Sequence, residues 1–356
     1  MPSISFELGG LPVIITARSS HLIEIFADYF RYYQPQLTET APASSSSAGP
    51  LTFTEPPLVI ELRTKRDLPP LEHLIPRTAE LLVHTGSVQM WREAASLTSH
   101  ERFYFHTGAA AFRVEPERGS LEGLITPSAL NLPHLLANTY MLLALLLLLR
   151  ARGLYHLHAA AVLSPRGELY LLCGAQRSGK TTLATALGLA GWQPVSDDSL
   201  LLQAGSSTAQ LFALKKTFHL SNHVLARWPA LEGIAHHHHY LERTCVAALE
   251  FFGTTPLAET RFEKVAYLVL PQITGGASTR LQSISAGEAI LKLAEQSIFF
   301  QLWSQHTQQQ LNLLTQLAGT ASCYQLLAGE DLLAYPQRAA EILEQAGERR
   351  WLAANS

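Results

Sequence analysis

The chain has 356 residues, enough for two domains or one elaborated domain, and 47% of them are hydrophobic, ample for a core. A formal charge of −3 supplies no basic field for nucleic acid and no polybasic membrane patch, so neither is an expected partner. The three cysteines, Cys173, Cys245 and Cys323, are odd in number and far apart; they fit neither a disulfide framework nor a zinc knuckle and point to a reducing cytoplasm. The start, MPSISFELGG, lacks the basic and apolar regions of a signal peptide.

In chain order, residues 4–16 alternate apolar and polar around Gly9-Gly10, which predicts a hairpin. SHLIEIFADYFRYYQP follows with helical spacing and a serine cap, and stops at Pro35. The low-complexity APASSSSAGP, residues 41–50, reads as a flexible loop. Strands are expected at 57–63, 87–92, 102–106 and 110–115, which makes residues 1–128 a small α+β region. The period then changes to a long apolar helix over 130–152. Its core, YMLLALLLLLR from Tyr140 to Arg150, is about half the roughly 20 residues that span a bilayer, so it reads as a buried helix.

Residues 129–350 read as an α/β domain. HLHAAAVLS (156–164) and GELYLLCG (167–174) form a strand pair, and KTTLATALGLAG a helix with Gly191 as its C-cap. WQPVSDD is a short strand ending in acids. KVAYLVLPQI (264–273) and ASCYQLLAG (321–329) are strands; 285–296, 305–319 and 335–346 are amphipathic helices. Residues 205–263 between them read as polar and irregular.

Gly174-Ala175-Gln176-Arg177-Ser178-Gly179-Lys180-Thr181 matches G-x-x-x-x-G-K-S/T at every fixed position. Glycines let the backbone curl so that its N–H groups point at phosphate oxygens, and the following helix adds the positive end of its dipole. Lys180 places a cation on the transferred phosphate, Thr181 offers a hydroxyl to Mg²⁺, and Thr182 follows at the loop's rim. The apolar strand before the loop and the capped helix after it are the context such a loop needs.

Asp197 and Asp198 come 17 and 18 residues after Lys180, with one helix and one short strand between. That brevity predicts that they end the strand adjacent to the loop's strand. One carboxylate can hold Mg²⁺ and the other can take a proton from an attacking hydroxyl. Adjacent strand residues face opposite ways, so a bend is needed to bring both to one site. His158, one strand before the loop, sits by pattern alone where a histidine is more often a core residue than a catalytic one.

Over residues 156–198 this stretch resembles the core of HPr kinase/phosphorylase, in which a histidine-bearing strand, a phosphate loop and an Asp-Asp pair follow in this order. The wider fold is shared with phosphoenolpyruvate carboxykinases. Weaker likeness, in LLANTYMLLALLLLLRARGLYHLHAAAV and YQLLAGEDLLAYPQRAAEIL, is to relatives encoded beside peptide-modification genes. The resemblance implies an ATP- and Mg²⁺-dependent kinase with Gly174–Thr181 on phosphates, Asp197 and Asp198 on metal and base duty, and His158 near the reacting phosphate. It further implies a serine hydroxyl as acceptor, first on a ribosomally made precursor peptide, and a homo-oligomer, as relatives often are. Free serine, a carrier protein, or nucleotide sensing with little turnover are the alternatives. Thr182 stands where HPr kinases usually carry an acid, and the downstream glycine-rich signature has no clear counterpart; both point away from phosphorylase activity and from HPr itself.

The four-histidine run His236–His239 reads as a solvated loop, because bare runs seldom converge on a metal. Lys215-Lys216 reads as a solvated charge pair and Cys173 as a buried strand residue.

Overall fold

The computed structural model describes residues 1–38, 56–86, 88–96, 100–205, 208–214, 217–228, 231, 239–240, 243–247, 260–297, 299–300, 302 and 305–354. The 41–50 loop, Lys215-Lys216 and His236–His238 lie outside them. The chain divides into two compact units, Met1–Leu154 and Tyr155–Ser356.

The first unit is built on one nine-stranded sheet. β1 (Ser3–Leu8) and β2 (Leu11–Ala17) form the expected hairpin. Both turn glycines have positive φ, 63° at Gly9 and 87° at Gly10, as a two-residue hairpin turn requires. β3 (Gln36–Thr38), β4 (Leu58–Thr64), β5 (Glu80–His84), β6 (Gln89–Glu93), β7 (Arg102–His106), β8 (Ala110–Glu115) and β9 (Ser120–Ile125) complete the order β3-β1-β2-β4-β9-β8-β7-β6-β5. β4 runs parallel to both β2 and β9, and the other pairs are antiparallel. Helix Ser20–Tyr29 buries Leu22, Ile23 and Phe26.

The apolar helix runs from Pro133 to Ala151, with a π-helical stretch over Leu136–Met141, and it packs against β8 and β9. By length and composition it could cross a membrane, yet 61% of its apolar window is buried inside the protein. Leu145, Leu148 and Leu149 are wholly buried. The helix covers nearly the 130–152 expected from the sequence and is largely buried, as expected. Pro133 stands in its first turn, where proline is tolerated, and Asn138 and Thr139 lie within the π stretch. The compact units also divide after this helix, whereas the sequence reading placed the break before it.

In the second unit the strands are β10 (Tyr155–Leu157), β11 (Ala159–Leu163), β12 (Leu169–Cys173), β13 (Gln193–Ser196), β14 (Leu200–Ala204), β15 (Ala209–Ala213), β16 (Thr217–Ser221), β17 (His239–Tyr240), β18 (Arg243–Ala247), β19 (Tyr267–Ile273), β20 (Arg280–Ser283) and β21 (Ser322–Ala328). Six form a mixed sheet, β13-β11-β12-β19-β21-β20; two small sheets, β10-β14-β15 and β16-β18-β17, complete the unit. It is an α/β fold with mixed sheets.

The near-continuous apolar runs of β11, β12 and β19 follow from burial on both faces of the large sheet. Val162, Tyr170, Leu172, Tyr267 and Val269 pack with helices Lys180–Leu189 and Gln337–Ala354. Ala161, Leu171, Cys173, Leu268 and Leu270 pack with helices Ala286–Glu295 and Gln305–Thr320. Each layer removes apolar surface from water, at roughly 25 cal/mol of stabilisation per Å².

Two expectations are corrected. Residues 156–164 are not one strand: the run breaks at His158, with β10 in a small sheet and β11 in the large one. Nor is the region 205–263 simply irregular. Its described parts include β15 to β18 and the helix Asn222–Arg227, and Leu211, Phe212, Phe218, Leu220 and Trp228 are buried.

Candidate active site

β11 lies between β12 and β13 and is antiparallel to both, so β12 and β13 run the same way. The acids therefore do not end the strand next to the loop's strand, as the spacing suggested; β11 intervenes. The consequence is favourable to a site. The end of β12, the end of β13 and the start of β11 share one sheet edge, which brings Gly174, Asp197 and His158 there.

Both chain crossings from the large sheet to the β10-β14-β15 sheet occur at this edge. One is at His158, between β10 and β11; the other is at Asp197-Asp198-Ser199, between β13 and β14. Two bonds fix the first crossing: His158 N donates to Gln296 O at 3.0 Å, and His158 Nδ1 lies 2.9 Å from Asp198 O. Ser196 Oγ donates to Ser199 O at 2.9 Å and closes the bend after β13. The bend is what lets both acids face one place despite the alternation of a strand.

The loop Gly174–Gly179 leads from β12 into helix Lys180–Leu189. Gly179 caps that helix at φ 102°, and a Cβ on Gly174 would lie 2.8 Å from Ser178 Oγ, so both glycines are needed for the curl. Arg177 holds φ 66°, a left-handed conformation costing a non-glycine residue on the order of 1 kcal/mol. The first helical N–H groups have no intrahelical partner and point out of the positive end of the dipole. Lys180 Nζ donates to Gly174 O at 2.8 Å and Ala175 O at 3.1 Å, drawing the cation across the loop's mouth.

Asp197 is 1% exposed. Its Oδ2 accepts the backbone N–H of His219 at 3.0 Å, and its Oδ1 has no hydrogen-bond partner among the described residues. A buried carboxylate oxygen left open is costly unless a cation or a proton completes it. Asp198 and the ring of His219 stand beside it, and one ligand atom from each of the three falls within 4.8 Å of the others. Hard carboxylate oxygens beside a cavity are the donor set that Mg²⁺ takes, so these residues fit the ion.

Burial, then the nearby Lys180 cation, lower the pKa of His158 against the opposing pull of Asp198. The ring is neutral at pH 7. A carbonyl can only accept, so Nδ1 donates to Asp198 O and Nε2 keeps the lone pair. His156 is a separate matter: fully buried, its Nε2 meets Ser199 Oγ at 2.9 Å, and burial pushes its pKa down to about 3. It supports the bend and is not on the cavity wall. Burial likewise pushes the Cys173 thiol up to about 12, so it is an inert core group, as its strand position predicted.

A cavity of about 820 Å³ opens at this edge, and its walls include His158, Gln176, Arg177, Ser178, Gly179, Lys180, Thr181, Thr182, Asp197 and Asp198. Gly174 and Ala175 are behind that wall, where their carbonyls hold Lys180. The far wall is apolar, with Leu220, Val224, Trp228 and Leu332. The sequence reading missed His219. The signal available was a polar residue between Phe218 and Leu220, both buried, in a strand that had been taken for loop.

No family model matches the chain, and no curated protein matches it. Among solved structures, the HPr(Ser) kinase/phosphatase from Coxiella burnetii is similar at 12% identity, over 56% of this chain and 99% of that one, with a TM-score of 0.29. A likeness at that level is distant and partial.

Proposed function

We propose that the second unit is an ATP- and Mg²⁺-dependent phosphotransferase acting on a hydroxyl, with a fold core of the HPr kinase and phosphoenolpyruvate carboxykinase type. The observation that carries this reading is the meeting of a phosphate-loop motif, two aspartates and a neutral histidine around one cavity. Loop amides and Lys180 hold the β- and γ-phosphates once Lys180 turns from the loop carbonyls. Thr181, Asp197 and Asp198 would hold Mg²⁺, which neutralises charge on the phosphates when bound. The acceptor oxygen forms its bond to the γ-phosphorus, the bond to the β-bridging oxygen breaks, and ADP leaves. A carboxylate has two oxygens, so Asp198, the more exposed acid, can take the hydroxyl proton on one of them. His158 offers Nε2 to the same region and orients the acceptor. Such catalysis is mainly positioning and electrostatics.

The acceptor is proposed only as a hydroxyl, with free serine, a carrier protein and a precursor peptide as the candidates to assay. Nucleotide sensing with little turnover is the second reading; the engagement of Lys180 by its own loop carbonyls favours it. A cytoplasmic setting suits either. The test is mass spectrometry of each acceptor after incubation with the full chain, Mg²⁺ and ATP. A gain of about 80 Da, one phosphoryl group, that disappears in Lys180→Ala is the expected result. Nucleotide binding with no acceptor modified and no ADP formed would favour sensing.

A further inference from the structure

We infer that the side chain of Arg177 is a further phosphate-contacting group, whose guanidinium closes on the γ-phosphate of bound ATP. This deepens the proposed function and rests on that reading for the presence of the nucleotide.

The backbone comes first. Arg177 holds φ 66° between Gln176 and Ser178. Glycine takes that conformation without strain and asparagine visits it readily, whereas a long side chain is disfavoured there. The curl of the loop alone would be better served by glycine. Backbone stability therefore gives no reason for an arginine at this position, and residues strained in this way gather at working sites.

The second observation is how the two cations of the loop are engaged. Lys180 is 6% exposed, and its Nζ is held by Gly174 O and Ala175 O. Arg177 is exposed and lines the same cavity, and among the described residues its guanidinium makes no ion pair or hydrogen bond. It is therefore not there to balance Asp197 or Asp198, which line that cavity too.

The chemistry names the ligand. A guanidinium is always charged, and its planar fork of N–H donors matches two oxygens of one phosphate. In the proposed reaction Asp198 and His158 meet the acceptor, so the phosphoryl group that moves must sit between them and the loop. An arginine on the loop's side of that cavity has the reach for it. As the acceptor oxygen bonds to the γ-phosphorus and the β-bridging oxygen leaves with its electron pair, charge spreads over the three equatorial oxygens. A fork on two of them stabilises that charge without giving up a proton. ADP lacks the group that the fork grips.

The experiment is equilibrium binding of ATP and of ADP, each with Mg²⁺, to the full chain of wild type, Arg177→Asn, Arg177→Gly and Arg177→Lys, with urea unfolding of each. Asparagine and glycine accept the loop's φ, so neither disturbs the curl. Each is expected to weaken ATP tenfold or more and ADP less than threefold, with a urea midpoint no lower than that of wild type. Lysine keeps the charge and loses the fork, and is expected to lose ATP affinity by an intermediate factor. Equal losses for ATP and ADP, or no loss for either, would overturn the assignment. A urea midpoint lowered in both neutral variants would overturn it as well, by making the arginine a structural part of the loop. If wild type binds both nucleotides and the variants do not tell them apart, only the role of Arg177 falls. If wild type binds neither, the phosphotransferase reading falls, and the role of Arg177 with it.

Discussion

Each unit buries a carboxylate, and the two are treated in opposite ways. In the first, Glu115 at the end of β8 is 7% exposed at its side chain and is ringed by three arginines: Arg102 at 3.4 Å, Arg113 at 3.6 Å and Arg118 at 3.2 Å. In the second, Asp197 at the end of β13 is still more deeply buried, yet among the described residues it has one backbone N–H on one oxygen and no donor on the other. The first acid is compensated by its own fold. The second has only the backbone N–H and the ring of His219 beside it, and its other oxygen is left open. Burial by itself does not single out a candidate acid; burial with an open oxygen on a cavity is the better signal, and it picks out Asp197.

This contrast is open to direct attack. The largest effect is expected from the loop: Lys180→Ala should lower phosphoryl transfer at least a hundredfold, with the circular dichroism spectrum unchanged. Asp197→Asn should cost a similar factor in transfer. It should alter urea unfolding by less than about 1 kcal/mol, because it removes an uncompensated buried charge. Glu115→Gln should do the reverse, leaving transfer intact and costing about 1–2 kcal/mol, a modest figure because the arginines are partly solvated. If Asp197→Asn unfolds the protein and Glu115→Gln abolishes transfer, the contrast is inverted and the account fails.

His158→Gln should lower transfer by about tenfold to a hundredfold. A separate effect, on stability and not on transfer, concerns His156. Its folded pKa, about 3, is below the ordinary 6.5, so the unfolded chain binds the proton more readily and stability falls as pH drops through that window. From pH 7 to pH 5 this one group should remove about 2 kcal/mol. His156→Gln should flatten that part of the profile, as denaturant midpoints at the two pH values would reveal.

The phosphate loop, the acids and His158 were legible because 41 consecutive residues, 158–198, carry them all in a fixed order. What that stretch does not encode is which strand neighbours which. The intervening β11 and the crossing at His158 are products of long-range pairing. His219 joins the acids through the bond from its own backbone N–H to Asp197 across 22 residues. In the first unit, β9 escaped notice because Gly123 interrupts its pattern. That glycine is there for close packing, since a Cβ would meet Leu62 Cδ2 at 2.6 Å.

The most direct test of the central claim is equilibrium binding of ATP to the full chain, with and without Mg²⁺, for wild type, Lys180→Ala and Asp197→Asn. The account predicts binding that Mg²⁺ strengthens in wild type, that Lys180→Ala abolishes, and that Asp197→Asn leaves insensitive to Mg²⁺. No binding by wild type, or binding indifferent to Lys180, would contradict it.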